Sequence, residues 1–187
     1  MKRTAAITGV CMVLAILPAF THSWSQSKKD PLTEQQIEAV REAGDDPPQR
    51  IKLFVGYVDD RTTEIHRLNA DRGVQDKGVR IHNQLEEFTR LSDDLEDNMD
   101  NFNEQHADLR KVLKVVVDKS AAWTTILNEP APSGQYDFVR KTALDANQSV
   151  HEAATQMLDE QTKYFIEKKK EEKEQQKQLE QKEQETR

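Results

Sequence analysis

From Val79 to Glu129 the chain contains neither glycine nor proline, and a single apolar register runs through the whole stretch. Ile81, Leu85, Phe88, Ser92, Leu95, Met99, Phe102, His106, Leu109, Leu113, Val116, Ser120, Trp123 and Leu127 recur at alternating steps of four and three. A helix returns the same face at that period. A seven-residue repeat kept over about six heptads predicts a coiled-coil-like helix over about 79–128, up to ~75 Å long. The alternative is a break between Asn101 and Asp108, where asparagine and aspartate favour local turns and would leave two helices of similar length. The unbroken register favours continuity.

The flanking segments also read as helices. In LTEQQIEAVREAG, Thr33 as N-cap with Gln36 three residues on forms a capping box, Leu32 and Ile37 sit at the staple positions, and Gly44 stands where a C′ glycine belongs. A second helix starts at Asp46 as N-cap, with Pro47 at N1 and Gln49 at N3. Ile51, Phe54, Val58, Ile65 and Leu68 mark its apolar face, interrupted by Arg61, until the Asn69 to Gly73 stretch ends it. After Pro130, Pro132 and Gly134 a last helix carries Tyr136, Val139, Ala143, Ala146, Val150, Ala153, Met157 and Tyr164. Its small residues allow close approach, so it is expected to lie antiparallel along the long helix, with the second helix covering the remaining groove.

Composition limits what such helices can bury. Hydrophobic residues make up 35% of the chain and charged residues 33%, against the usual ~45–50% and ~25%, which suits a narrow seam better than a globular core. The expected fold class is therefore all-α: an antiparallel three- or four-helix bundle around the long helix, spanning 47–166 and preceded by a segment 26–46 with the short helix. From Glu167 to Arg187 seven acids balance seven bases around one apolar residue, Leu179. Opposite charges one turn apart, such as Lys168 with Glu172 and Lys170 with Glu174, predict a charged helical or disordered extension over 167–187.

The first 25 residues read as a secretory signal peptide. Lys2 and Arg3 form the positive start, Ala5 to Phe20 the apolar run, and Ser23 and Ser25 flank Trp24 at a cleavage site expected after Ser25. Retention as an anchor is the alternative, although the run is shorter than the ~20 residues that span a bilayer comfortably. A periplasmic or secreted location follows. The one cysteine, Cys11, lies inside that run, so the processed chain has no thiol chemistry. Losing Lys2 and Arg3 takes the formal charge from −7, two units down, to −9. That balance argues against nucleic acid and anionic membrane surfaces as partners, and admits a basic protein.

The acidic run DDLEDNMDNFNEQHADLR, 93–110, raises the question of a metal site. On the register above, Asp93, Asp97, Asp100 and Glu104 share the face opposite the seam and point at water. No histidine follows a glutamate by three residues, as bundle di-metal sites require, and Asn98 stands where a calcium loop needs glycine. Residues 81–109 hold nine acids and one base, whereas Arg110, Lys111, Lys114 and Lys119 follow against Asp118 alone, a polarity that matches the dipole of one continuous helix. His106 is read as a polar seam position, like Ser92 and Ser120, or as a pH-sensitive contact. The run His151-Glu152-Ala153-Ala154-Thr155 lacks the second histidine of a zinc-protease helix, and no nucleophile elbow, phosphate loop or dinucleotide fingerprint occurs. No catalytic, cofactor-binding or metal-binding residues are assigned, and no cofactor is expected.

Leu32-Thr33-Glu34-Gln35-Gln36 resembles the LTxxQ motif of the CpxP and Spy group, small periplasmic helical proteins that act in envelope stress, Spy as an ATP-independent chaperone. The second LTxxQ of that group is missing here, and the chain is more acidic than a basic chaperone cradle. The whole layout is also similar to uncharacterised signal-bearing bacterial helical proteins. The expected function is non-enzymatic: a secreted or periplasmic helical protein acting by protein–protein interaction, with a CpxP/Spy-like chaperone and a structural envelope spacer as alternatives. Self-association into a homo-oligomer also stays open.

Overall fold

The computed structural model describes residues 30–185. The expected signal segment 1–25 lies outside the described residues, as do the last two residues of the tail. Five helices and no strand occur among the described residues: α1 (Glu34–Glu42), α2 (Pro47–Ala70), α3 (Lys77–Glu104), α4 (Arg110–Leu127) and α5 (Asp137–Glu185). The all-α bundle is as expected.

Local signals place the first two helices. Thr33 Oγ1 accepts from the Gln36 N–H while Gln36 Oε1 accepts from the Thr33 N–H, so the capping box closes in both directions. Gly44 does stand at C′, but in no left-handed conformation; the Asp46 N–H instead turns back to the Ala43 carbonyl, 3.1 Å away. Asp46 caps α2 through the Gln49 N–H, with Pro47 at the first helical position. Along α2, Thr62 fills the seam position between Val58 and Ile65, and its hydroxyl donates to the Asp59 carbonyl. Arg61 is displaced to the flank, where its Nε lies 2.6 Å from Glu87 of α3 and its Nη2 donates to the Pro31 carbonyl, tying the chain before α1 to the bundle.

The expected single helix over 79–128 is two helices. The chain leaves α3 after Glu104, reverses through Gln105–Leu109 and returns as α4. Every seam position from Ile81 to Leu127 is buried except His106, which is exposed at the reversal. Phe102 and Leu109 flank the corner and are both buried. They stand seven residues apart, so the heptad count carries through a turn that sends the chain back on itself.

Cross-helix pairs set the topology. Arg61 with Glu87 and Glu64 with Arg80 make α2 and α3 antiparallel; Leu109 with Gln161 and Thr124 with Asn147 do the same for α4 and α5. His82 with Gln135 and Glu96 with Ser149 run α3 and α5 parallel, and Asp59 with Lys119 and His66 with Glu129 run α2 and α4 parallel. The result is a four-helix bundle with α3 facing α4 across one diagonal and α2 facing α5 across the other. The last helix therefore lies antiparallel to only the second half of the expected rod.

Phe88 of α3 meets Trp123 of α4 edge-on across the diagonal, 6.0 Å between ring centres, both fully buried. Edge-to-face pairs of this kind add about 0.5–1.5 kcal/mol to what burial supplies. Tyr136 just before α5, and Ala143, Val150 and Met157 on it, are buried as expected, but the rest of the seam passes through Asn147, Ala154 and Gln161 instead of Ala146, Ala153 and Tyr164. A search for apolar residues slides off the true face wherever that face is polar.

The indole of Trp123 donates to Asp59 Oδ1 at 2.9 Å, and Lys119 Nζ donates to Oδ2 at 2.9 Å. Partial burial pushes the Asp59 carboxyl up, but these two hydrogen bonds and the Lys119 charge outweigh it and hold the group below its ordinary value. Asp59→Ala leaves a buried indole N–H without its acceptor and is expected to cost about 1–3 kcal/mol in chemical denaturation. Asp59→Asn keeps an acceptor, costs less and flattens the acid limb. The carboxylate's contribution is complete above the unfolded value of ~3.9 and disappears as pH falls through the lower folded value.

Candidate functional site

The corner between α3 and α4 is closed by the backbone first. Glu104 is the last residue of α3, Gln105 caps it, and His106 follows at φ 57°, in the left-handed region. The His106 N–H donates to the Asn103 carbonyl and the Ala107 N–H to the Phe102 carbonyl, the two bonds of a Schellman ending. Glycine usually takes that position because a Cβ costs ~1–2 kcal/mol there. His106 is not the seam residue its spacing suggested.

Gln161, a buried residue of α5, completes the corner. Its Oε1 accepts from the Leu109 N–H at 2.9 Å, and its Nε2 donates to Asn103 Oδ1 at 2.9 Å and to the Ala107 carbonyl at 3.0 Å. Leu109 is the N-cap of α4 and has no side-chain cap of its own. One amide thus satisfies groups from the end of α3, the turn and the start of α4.

Aromatic and charged groups surround this joint. The His106 ring stacks on Tyr164 at 5.2 Å, Tyr164 meets Phe165 edge-on at 5.1 Å, and the Arg110 guanidinium lies 4.4 Å over the Phe165 ring. Arg110 also pairs with Asp108, whose carboxyl is held below its ordinary value chiefly by that hydrogen bond. Beside the rings opens a cleft of about 270 Å³, lined by Asn103, Glu104, His106, Glu160, Gln161, Tyr164 and Phe165. A second hollow of about 420 Å³ shares Asn103, Glu104 and Glu160 with it and continues past Asp100 to Met157 and Ala153. Together they form a groove between α3 and α5, with carboxylates on both lips.

The acidic row takes the orientation expected of it: Asp93, Asp97, Asp100 and Glu104 are exposed, opposite the buried Leu95, Met99 and Phe102. Asp93 and Asp94 have raised carboxyl values, from partial desolvation first; the Asp97 charge adds to both, and Asp30 adds to Asp94. Among the described residues no group of three or more histidines, cysteines or carboxylates is placed to share a metal ion. The dipole match fails with the rod: the acids crowd the C-terminal end of α3, and Arg110, Lys111 and Lys114 begin α4.

Ser120 Oγ lies 2.8 Å from His151 Nδ1, a pairing that no sequence motif marks. The serine is fully buried within α4, its hydroxyl also reaches the Val117 carbonyl, and the Asn147 amide donates to the Ser120 carbonyl at 2.9 Å, so the pair ties α4 to α5, with the half-buried His151 on the outer side. Gln161, Asn147, Tyr164 and Phe165 were not singled out by spacing as a site. The polar two interrupt an apolar pattern, and the aromatic two stand where the helix leaves the bundle. No protein-family model matches the chain, and no curated protein and no solved structure gives a significant match.

Three outcomes test this region. Gln161→Leu is expected to destabilise by about 1–3 kcal/mol despite its apolar side chain, because it strands buried polar groups at the corner. His106→Val is expected to cost about 1–2 kcal/mol more than His106→Asn, since asparagine tolerates the left-handed region and a β-branched residue does not. Asp94→Asn should raise the melting temperature at neutral pH. The sign follows from the raised folded value: the charged form costs stability above that value, so the gain shrinks as pH falls through the carboxylate range.

Proposed function

We propose that this chain is a non-enzymatic helical protein, secreted or periplasmic, that acts by binding another protein at the end of the bundle where α5 leaves it. The observation that carries the reading is the reach of α5. Its last contact with the corner is at Phe165, yet it runs on to Glu185, about 30 Å further, and residues 166–182 are exposed. Tyr164 and Ile166 stand 40% and 49% exposed at its base. A helix with apolar residues at its root and exposed side chains beyond it suits docking on a partner's groove.

Other features support a binder over a catalyst. The Ser120–His151 contact ties α4 to α5 through a fully buried serine, and the groove at the corner presents Glu104 and Glu160 to solvent. Among the described residues no helix is long and apolar enough to cross a membrane. The chaperone alternative rests on Leu32 to Gln36, where Thr33 and Gln36 are occupied in starting α1. The spacer alternative draws on the same α5 extension.

Affinity capture from the native envelope, with the full chain and with a chain ending at Glu167, tests the reading. A partner retained by the full chain and lost with the tail supports it. Capture that survives scrambling of 167–187 at constant composition moves the assignment to a spacer, and a turnover abolished by one carboxylate substitution moves it to an enzyme.

A further inference from the structure

The turn between α3 and α4 sits in a stretch that also satisfies the requirements of one helix. No glycine or proline interrupts Val79 to Glu129, the apolar row keeps its heptad count across the turn, and the residue held in the left-handed region is His106, not glycine. Refolded as helix, residues 105–109 satisfy their own backbone: the Leu109 N–H turns from Gln161 to the Gln105 carbonyl, and the Ala107 carbonyl from Gln161 to the Lys111 N–H. The acids that end α3 and the bases that begin α4 then no longer stand at helix termini of the wrong sign. Against this, the Gln161 amide, the two Schellman bonds and the stack of His106 on Tyr164 hold the turn closed. A straightened chain takes α4 and α5 away from the seam of α3, so a second copy has to cover it.

The row is laid out for such a copy. Phe88 with Trp123, Leu95 with Val116, and Phe102 with Leu109 are each equidistant in sequence from one point between Gln105 and His106, and all six are buried. In the closed chain that symmetry folds the row onto itself and brings Phe88 against Trp123. On two straight helices running antiparallel about the same point, the same residues oppose one another between copies. We propose that 105–109 is a hinge through which two copies of this chain exchange α4 and α5, the α3 and α4 of each joining into one helix. The α4–α5 pair of each copy then packs on the α2–α3 pair of the other, and core contacts such as Phe88 with Trp123 are remade between chains. The exchange is isologous and closes at a dimer. Its cost falls on α5. Glu96 and Asn103 of α3 and Thr124 of α4 share one heptad position, and all three meet residues of α5. The two α5 helices therefore approach the junction in one groove from opposite ends. Gln161 bonds both Asn103 and Leu109, and in a joined helix these lie about 9 Å apart, so the stretches of α5 beyond Gln161 overlap and have to swing aside. The α5 extension is thus a brake on the exchange.

A cross-link between Glu96 of α3 and Ser149 of α5, which touch in the closed chain, reads the exchange directly. With Cys11→Ser, Glu96→Cys and Ser149→Cys, a short bis-maleimide joins one chain to itself in the monomer and two chains to each other in the exchanged dimer. The protein is warmed and cooled over about a hundredfold range of concentration, then diluted and cross-linked. The expected result is a covalent dimer on a denaturing gel that grows with concentration; closed chains lying side by side give links within one chain only. His106→Gly should weaken the dimer about a hundredfold or more, because glycine relieves the turn, opposes the helix and counts in both copies. His106→Leu should strengthen it about tenfold or more by the reverse. A chain ending at Glu167 keeps every buried residue and should exchange more readily than the full chain, with circular dichroism to check that each variant is folded. Links confined to single chains at every concentration, in the His106→Leu chain ending at Glu167 as well, overturn the hinge. So does a dimer fraction that the two His106 variants leave unmoved, and exchange equally ready with and without the extension overturns the brake. Capture of an envelope partner is read separately, so failure of the exchange leaves the interaction reading standing.

Discussion

The bundle depends on one reversal of the chain, between Glu104 and Arg110, and on the amide of Gln161 that closes it. The Schellman hydrogen bonds satisfy carbonyls at the end of α3, and Gln161 takes up the Leu109 N–H and the Ala107 carbonyl that the backbone leaves over. A buried polar group left without a partner costs ~1–3 kcal/mol, comparable with the strain of placing a histidine in the left-handed region. The two costs are met at the same place by a residue more than fifty positions away in sequence. With the corner closed, α4 can run beside α2 and α5, and Phe88 can reach Trp123 across the diagonal.

The same reversal redistributes charge. In an unbroken helix the acids of 81–109 and the bases that follow would sit at the favourable ends of one dipole. Folded back, they meet at a C-terminus and an N-terminus, each with the sign the dipole disfavours, by ~0.3–1 kcal/mol per exposed charge. Asp108 offsets part of this by accepting from the Arg110 N–H and pairing with its guanidinium. The wider consequence is a polarised end of the molecule: an acidic groove between α3 and α5, a cation resting on Phe165 on the α4 side, and a charged helix passing between them.

What could be read beforehand, and what could not, divides along physical lines. Thr33 with Gln36 and Asp46 with Pro47 are local devices, complete within four residues, and both helix starts are where they indicate. The apolar face of α2 and the burial of the row from Ile81 to Leu127 follow from periodicity. The corner falls where the alternative reading put a break, between Asn101 and Asp108, but only the turn-favouring asparagines and aspartates mark it, because Phe102 and Leu109 keep the heptad spacing through the turn and no glycine stands at C′. The joint between α3, α4 and α5 was illegible for a related reason: Gln161 and Asn147 are buried for the hydrogen bonds they make with distant backbone, and hydropathy assigns such residues to the surface.

By itself, the sequence determined that this chain is helical, where its first two helices begin, and which side of 81–127 is hidden from water, since caps and a period near 3.6 residues are properties of neighbouring residues. Tertiary structure alone decided that this stretch is two helices, that α5 runs parallel to one and antiparallel to the other, and that an acidic groove opens where α5 departs. A continuous rod and a reversed pair present the same apolar strip; only contacts between residues far apart in sequence, those of Gln161 above all, distinguish them.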